Sequence, residues 1–252
     1  MKSVTVIVPV YNPSREFEDT VESLLNQCYE NTKILLIDDC STSGLTILSK
    51  YAKLPKIQML KTRKNGGGGH ARNLGLRNCD SHYIAFCDSD DVWPNDKLSK
   101  QILLMEQNKY LMSHTDMVAF DPARRIATEL PTNDTIDLSE FLSKTNIYCS
   151  TVCIDRSILK NHQFSELRIR HPFKFWVSIL ENGVESHRVP DVKVSYLVRN
   201  SSVSSNAVLS LFYTLHAYIF FPKNKWLAFK CLILRMLNVK AGNSRIFAGL
   251  FK

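Results

Sequence analysis

The segment Tyr83–Asp91 reads YIAFCDSDD, an apolar run that ends in three carboxylates. Its apolar half is typical of a buried β-strand. Burying a strand requires no acids at its end, whereas Mg²⁺ and Mn²⁺ bind one or two carboxylates together with substrate phosphates. In extended backbone, residues i and i+2 point the same way, so Asp88 and Asp90 can approach one ion. An Asp-x-Asp pattern is also common in solvated turns, and the segment alone leaves both interpretations open.

Apolar strands alternate with amphipathic helices upstream of this segment. The predicted strands are Val4–Val8, Lys33–Ile37 and Ile57–Leu60, and the predicted helices are Ser14–Gln27, Gly44–Leu54 and Ala71–Asn78. This alternation predicts an α/β fold with a mostly parallel sheet. Polar clusters follow the four strands, at 11–12, 38–39, 65–69 and 88–91. Because ligands bind beyond the carboxyl ends of such strands, the four clusters together favour a binding site over a solvated turn.

The pattern is less regular after Asp91. The predicted segments are a helix at Pro94–Asn108, a strand at Met117–Phe120, a polar loop at Thr128–Asp137, an apolar run at Cys149–Ile154, a helix at Phe173–Leu180 and a strand at Val192–Val198. The seven cysteines are scattered and form no Cys-x-x-Cys pair. This spacing argues against a disulfide framework or a structural zinc site and favours a reducing compartment. The short apolar run Val4–Val10 is not a secretory signal.

Two of the polar clusters each allow two interpretations. Asp38 and Asp39 either cap the helix predicted near Gly44 or bind a ribose hydroxyl or base edge. The run Gly66–Gly69 either forms a sharp loop or lets the backbone approach a ligand closely. A helix beginning after it would point N–H groups at an anion, and Arg72 would add a bidentate phosphate donor. We therefore predict a nucleotide-phosphate contact, in a loop that lacks the Gly-Lys-Ser/Thr of a P-loop.

These segments resemble, in order and spacing, the family-2 inverting glycosyltransferases, which have the GT-A fold. The matching segments are Val4–Asn12, Leu36–Thr42, Asn65–Gly67 with Ala71–Gly75, and Tyr83–Trp93. The match covers roughly the first 110 residues. Beyond them it is loose, through Phe175-Trp176 and Ser202–Asn206. The resemblance implies a GT-A (nucleotide-diphospho-sugar transferase, Rossmann-like) sheet flanked by helices, here with a C-terminal helical basic extension.

The resemblance also implies a nucleotide-diphosphate sugar as donor, with UDP as the expected nucleotide. Asp39, with Asp38, would hold the uracil or ribose side, and Asp88 and Asp90 would bind ribose and metal, with Asp90 the direct ligand. The donor-binding residues implied are Pro9, Tyr11, Asn12, Asp38, Asp39, Asn65, Gly66, Gly67, Arg72, Asp88 and Ser89. A bound Mn²⁺ or Mg²⁺ would neutralise the departing diphosphate. An acceptor hydroxyl would displace it with inversion, and a carboxylate base would take the hydroxyl proton.

The expected base is where this sequence departs from the family pattern. The family places Glu-Asp before an aromatic-Trp pair at a helix start, whereas this chain has His171-Pro172 before Phe173–Trp176. Pro172 suits a first helical position. His171, with an unperturbed pKa of about 6.5, and Glu166 are the candidate bases. If His171 only caps the helix or lines the cleft, the alternative is a degenerate nucleotide-sugar binder or scaffold protein.

The tail carries the whole basic excess of a chain with net charge +8. Residues 192–252 contain nine Lys or Arg and no acid, and Trp226–Val239 places its apolar residues near one face. Such a segment is typical of an interfacial helix, and anionic lipid attracts it. The apolar stretch Ala207–Phe221 is shorter than the ~20 residues of a membrane-spanning helix. Packing on the catalytic domain or on a second subunit is the alternative, and nucleic acid is disfavoured because no groove-reading or base-stacking module accompanies the bases.

The sequence therefore predicts a catalytic domain at 1–206 and a membrane-associating tail at 207–252. The predicted function is inverting transfer of a sugar to a saccharide or polyprenyl-diphosphate-linked acceptor. The expected setting is bacterial surface polysaccharide synthesis (O-antigen, capsule or exopolysaccharide). The expected location is cytoplasmic, peripheral at the inner face of the cytoplasmic membrane. A dinucleotide-binding dehydrogenase is disfavoured because no Gly-x-Gly-x-x-Gly follows the first strand.

Overall fold

The N-terminal half consists of parallel strands joined by helices. The computed structural model describes residues 1–121, 126–144, 147–159, 162–165, 171–198 and 215–240. The first elements are β1 (Val4–Val10), α1 (Glu16–Leu25), β2 (Thr32–Asp38), α2 (Leu45–Tyr51), β3 (Ile57–Lys61), α3 (Gly67–Arg77) and β4 (Tyr83–Phe86). The strands lie in the order β3-β2-β1-β4, and every pairing among them is parallel, as predicted. Their carboxyl ends therefore meet at one edge of the sheet, where ligands of such folds bind.

Beyond β4 the sheet becomes mixed. The elements are β5 (Asp91–Val92), α4 (Lys97–Asn108), β6 (Met112–Asp121), β7 (Ile126–Leu130), β8 (Thr135–Ile136), α5 (Leu138–Ser143), β9 (Cys153–Asp155), α6 (His171–Leu180) and β10 (Ser186–Leu197). The sheet continues β4-β9-β6-β10-β5. β9 runs antiparallel to β4 and β6, whereas β6 and β10 are parallel. The strand predicted at Met117–Phe120 is the second half of the longer β6.

The polar loop predicted at Thr128–Asp137 is correct only for residues 131–134 and 137. Residues 128–130 belong to β7, which pairs with β6, and residues 135–136 form β8, which pairs with β10. Every residue of β7 is exposed or half-buried, and Thr128 and Glu129 interrupt its apolar residues, so backbone pairing with β6 defines this strand. A polar edge strand of this kind is not distinguishable from a loop by hydrophobic periodicity.

Apolar layers cover both faces of the sheet. Ile7 and Phe86 face the layer that contains α3 and α6, whereas Val6 and Val8 face the layer that contains α1 and α4. α3 lies against β1 so closely that a Cβ on Gly75 would be 2.6 Å from Cγ2 of Ile7. This close approach requires glycine and brings the start of α3 near the carboxyl edge of the sheet.

Two helices follow β10 in the described part of the tail. They are α7 (215–220) and α8 (Lys225–Lys240), and α8 confirms the helix predicted at Trp226–Val239. Positions 202–214, which include most of the apolar stretch from Ala207 and the Ser202–Asn206 match, lie outside the described residues. No helix in the ranges given above is long and apolar enough to cross a membrane.

Candidate active site

Asp38 ends β2 as a buried, ionised carboxylate. Its side chain accepts the backbone N–H of Ser41 at 2.8 Å and lies 3.3 Å from the Lys61 ammonium. Burial acts to raise the pKa of Asp38, but the hydrogen bonds from Ser41 and the Lys61 charge outweigh it and lower that pKa. The carboxylate therefore stays charged at neutral pH and braces the loop that follows β2.

Asp39 binds the start of α3. Its carboxylate accepts the backbone N–H of Gly66 at 3.1 Å, that of Gly67 at 2.6 Å and the hydroxyl of Thr62 at 2.9 Å. α3 therefore begins at Gly67, four residues before the predicted start at Ala71. Gly67 has a φ of +82°, which favours glycine. The glycine run is thus the first turn of a helix whose initial amides a carboxylate already binds.

The interpretation of this acidic pair as the cap of α2 is wrong. Gly44 is the N-cap of α2, and among the described residues no side chain hydrogen-bonds there. Asp39, which directly follows β2, instead binds the first amides of α3, the helix that follows β3.

Asn12 ties the exit of β1 to the loop after β2. Its side-chain oxygen accepts the backbone N–H groups of Thr42 at 2.8 Å and Ser43 at 3.1 Å. Its own N–H donates to the Ser41 hydroxyl at 2.9 Å. Tyr11, directly before it, is an exposed aromatic side chain at the same edge. The other predicted donor residues Pro9, Asn65 and Ser89 are half-buried.

Arg72 joins the glycine run to the acidic loop. Its guanidinium is almost fully buried and forms an ion pair with the half-exposed Asp88 carboxylate. It also lies over the ring of Phe164, 5.5 Å from the centroid, in a cation–π contact. The side chain predicted to bind phosphate therefore sits between α3 and the end of β4, with its charge directed at Asp88.

Ser150 organises the acidic loop from a distant part of the chain. Its hydroxyl accepts the backbone N–H of Asp88 at 2.9 Å. Asp91 is 1% exposed, and its Oδ1 has no hydrogen-bond partner among the described residues. Burial, and then the charge of Asp88, raise the pKa of Asp91 well above its ordinary value.

Tyr196 faces the same carboxylates from β10. It pairs with Asp91 of β5 in the sheet register. Burial, followed by the charges of Asp90, Asp91 and Asp88, raises the pKa of the Tyr196 phenol. The hydroxyl therefore remains protonated beside the acidic loop and can donate a hydrogen bond there.

α6 packs against the end of β4. The rings of Phe175 and Trp176 make edge-on contacts with Phe86, at centroid distances of 5.8 and 6.2 Å. Phe86 is two residues before Asp88, so the predicted aromatic pair fixes α6 beside the acidic loop. His171 is the first residue of α6, but its side chain, like the whole of Glu166, lies outside the described residues.

Asn73 anchors the segment that leads toward α6. Its side chain accepts the N–H of Phe164 at 2.8 Å and donates to the carbonyl of Phe164 at 3.1 Å. The Phe164 ring stacks on Phe175 at 4.0 Å. Asn73 of α3 therefore fixes the backbone at Phe164, which precedes the candidate base residues in the chain.

The acidic loop has the chemistry of a site for a hard cation. Asp88 and Asp90 offer carboxylate oxygens that are not fully buried, and Asp91 adds the unpartnered buried oxygen described above. Within the described residues no group of three or more His, Cys, Asp or Glu side chains is arranged to hold a metal. A site completed by the phosphates of a substrate needs only one or two protein carboxylates.

A family model matches most of the chain. The model is described as "Glycosyl transferase family 2", and it covers residues 5–162. This chain belongs to the family-2 glycosyltransferases. The predicted family and enzyme class are thereby confirmed.

Curated relatives cover most of the chain. The Bacillus subtilis protein named "Putative teichuronic acid biosynthesis glycosyltransferase TuaG" is 34% identical over 207 residues, 81% of this chain and 82% of the relative. The Escherichia coli protein named "UDP-Glc:alpha-D-GlcNAc-diphosphoundecaprenol beta-1,3-glucosyltransferase WfaP" is 33% identical over 206 residues, 82% of this chain and 81% of the relative.

Solved structures confirm the GT-A fold class. The structure of S. aureus TarS 1–349 with UDP-GlcNAc has a TM-score of 0.73 at 19% identity, covering 99% of this chain and 76% of that one. The Pyrobaculum calidifontis mannosyltransferase PcManGT, with GDP-Man and Mn²⁺, has a TM-score of 0.63 at 16% identity, covering 99% and 78%.

Proposed function

We propose that this glycosyltransferase moves a sugar from a UDP-sugar to a saccharide acceptor in one displacement that inverts the anomeric centre. The ion pair between Arg72 and Asp88 carries the proposal, because it joins the glycine run to the acidic loop at the carboxyl edge of the sheet. Ligands of α/β sheets bind at this edge. The UDP-GlcNAc in the TarS structure and the UDP-Glc in the name of WfaP support a uridine nucleotide.

The donor would lie along the ends of β1, β2 and β4. Asp39, with Asp38, would bind the uridine end, while the amides of the glycine run and Arg72 would lie near the diphosphate. Tyr11 is exposed at the rim and is available to a base or ribose. The full set proposed to bind donor is Pro9, Tyr11, Asn12, Asp38, Asp39, Asn65, Gly66, Gly67, Arg72, Asp88 and Ser89.

Asp90 and Asp88 would hold Mn²⁺ or Mg²⁺ together with the donor diphosphate. A cation bound there supplies Lewis-acid stabilisation of the leaving diphosphate. The Mn²⁺ in the PcManGT structure and the all-oxygen donor set support this assignment. Arg72 keeps Asp88 in place by pairing with one of its oxygens.

His171 and Glu166 are the candidate bases for the acceptor hydroxyl. α6 begins at His171 and packs on Phe86, next to the acidic loop. A base at this position would take the hydroxyl proton as the acceptor attacks. Because the family's acidic pair is replaced here, the choice between the two residues is left to experiment.

We further propose that the acceptor is carried on polyprenyl diphosphate and that the product enters a bacterial surface polysaccharide. The names of WfaP and TuaG support this setting. The catalytic domain would span 1–206, with the basic tail at 207–252 associating with the inner face of the cytoplasmic membrane.

A screen of UDP-sugars for hydrolysis and thermal stabilisation, with and without Mn²⁺, tests the proposal. A bound donor raises the melting temperature by mass action. Asp90→Asn should lower Mn²⁺-dependent turnover by about 100-fold or more, since metal stabilisation of the leaving group contributes several kcal/mol. Asp80→Asn, an exposed acid at the amino end of β4, is the matched control. If no UDP-sugar stabilises the protein, or if Asp90→Asn retains full turnover, the proposal is wrong.

The bases are separated by His171→Ala and Glu166→Ala. Loss of the base should lower kcat by about 10²- to 10⁴-fold with donor affinity unchanged. A protein that binds UDP-sugar but shows no turnover in any variant would be a non-catalytic binder.

A further inference from the structure

α8 exposes a stripe of large apolar side chains. Trp226 is 76% exposed, and the stripe, here called the α8 apolar face, consists of Trp226, Phe229, Ile233, Met236 and Leu237. From Trp226 to Met236 these positions are three or four residues apart along the helix, and Leu237 is four residues after Ile233, so all five share one side. Ile219 and Phe220 on α7 are also exposed. Single exposed apolar residues are ordinary, but a contiguous stripe marks a surface that binds something.

The opposite side of α8 is fixed to the protein. Ala228, Cys231 and Arg235 are buried there. The Arg235 guanidinium donates to the carbonyl of Phe141 at 3.1 Å, in the last turn of α5, and to the Tyr218 hydroxyl at 2.9 Å. A cation at the carboxyl end of a helix is favoured by the exposed carbonyls and the helix dipole. This anchor sets the rotation of α8, so its apolar face is held outward.

Lysines accompany the stripe. Lys223, Lys225 and Lys230 are exposed, and residues 192–252 contain no acid, while the Glu181 carboxylate accepts the Lys223 backbone N–H at 2.6 Å. A helix with exposed Trp and Phe, bordered by lysines and too short to cross a bilayer, has the composition of an interfacial helix. Its lysines complement the charge of anionic headgroups.

We infer that the α8 apolar face inserts shallowly into an anionic lipid bilayer and that α8 lies flat on it. The biological role of this membrane contact rests on the proposed function, because a lipid-linked acceptor lies at a membrane surface. Its physical basis is separate, because exposure, helix rotation and charge do not depend on the donor site.

α7 and Phe221, the residue after it, contact the first turn of α6. The ring of Phe173 lies 5.1 Å from that of Tyr218 and 6.4 Å from that of Phe221. Phe173 is two residues after His171. The bilayer therefore lies on the side of the enzyme that carries the candidate base, and a lipid-linked acceptor reaches the site from that side.

Binding to vesicles tests the surface directly. Of the three tryptophans, Trp93 and Trp176 are buried, so a blue shift in emission on adding vesicles reports Trp226. The full chain should sediment with phosphatidylglycerol-containing vesicles and not with pure phosphatidylcholine. Trp226→Ala/Phe229→Ala should weaken this binding by about tenfold or more. Leu103→Ala/Leu111→Ala, which removes exposed apolar side chains elsewhere, should leave it unchanged.

Three outcomes would overturn the inference: no sedimentation of the full chain, equal binding by the Trp226/Phe229 variant, or a dimer in light scattering that this variant abolishes. The last result would assign the face to a second copy of the chain. UDP-sugar hydrolysis without vesicles should be retained in the variant. If vesicles bind but no UDP-sugar does, the proposed function fails while the surface stands.

Discussion

The hydroxyl of Ser150 accepts the backbone N–H of Asp88 at 2.9 Å. β4 ends at Phe86 and β5 begins at Asp91, so residues 88–90 lie between two strands of the sheet. Ser150, 62 positions away from Asp88, and Arg72 hold this short loop. The geometry of the candidate metal loop is therefore set by contacts from two other elements.

Ser150→Ala should impair use of the metal more than use of the donor. It leaves the Asp88 N–H without its acceptor, at a cost of about 1–3 kcal/mol. We expect the Mn²⁺ concentration for half-maximal turnover to rise by roughly tenfold. Ser150→Thr, which keeps the hydroxyl, should restore it, and Ser49→Ala at an exposed serine is the control. An unchanged Mn²⁺ titration in Ser150→Ala would show that the hydrogen bond does not position the loop.

Asp39→Asn should destabilise the fold as well as weaken donor binding. The carboxamide keeps one accepting oxygen, so its NH2 group faces one of the two backbone N–H groups, of Gly66 and Gly67, that the carboxylate now accepts. Loss of such a cap costs about 1–2 kcal/mol, which lowers Tm by roughly 2–8 °C in a protein of this size. Scanning calorimetry of the variant beside Asp80→Asn measures the difference. A variant that melts like the parent would mean that α3 starts without help from Asp39.

Asn73→Ala should lower kcat and leave the donor KM nearly unchanged. The variant loses both hydrogen bonds to Phe164, the residue that precedes the candidate base region and stacks on Phe175. A displaced catalytic group costs about 100-fold in rate even when the shift is small. Asn78→Ala, at the exposed end of the same helix, should behave like the parent. A rise in donor KM with normal kcat would place Asn73 on the donor side instead.

His114 should make the fold less stable in mild acid. Its ring is buried between Ser186 and the Asn133 carbonyl. Burial lowers the pKa of His114 to about 4. The Asn133 carbonyl and the charge of Asp116 act to raise this pKa, whereas the charges of Arg188 and His187 lower it further. Above about pH 6.5 the ring is neutral in both states, whereas between pH 6.5 and 4 only the unfolded chain gains the proton. The free energy of unfolding therefore decreases as the pH is lowered from 6.5 to 4, by up to about 3 kcal/mol.

Urea unfolding at pH 7 and pH 5 checks this dependence. His114→Gln should lose less stability between the two pH values than the parent does, while His82→Gln, at an exposed histidine, should match the parent. If all three proteins lost the same stability between pH 7 and pH 5, His114 would be excluded as the source of the pH dependence.

Local patterns in the sequence predicted the strands and helices of the first half well, because β1, β2 and β4 are buried on both faces and each helix has an apolar side. They also found the acids and the glycine run. They missed Ser150, Tyr196 and the role of Asn73, since these are ordinary residue types that meet the site from 62 to 105 positions away along the chain. The partner of Asp39 was misassigned for the same reason: the nearest helix start in sequence is α2, whereas the nearest in space is α3.

Of the nine cations in residues 192–252, Arg235 points into the protein, where it donates to the carbonyl of Phe141 near the end of α5. Raising the ionic strength weakens the attraction between exposed lysines and anionic lipid far more than it weakens the buried contacts of Arg235. Salt should therefore detach the enzyme from a charged bilayer with α8 still docked, so that release and return occur without unfolding the tail.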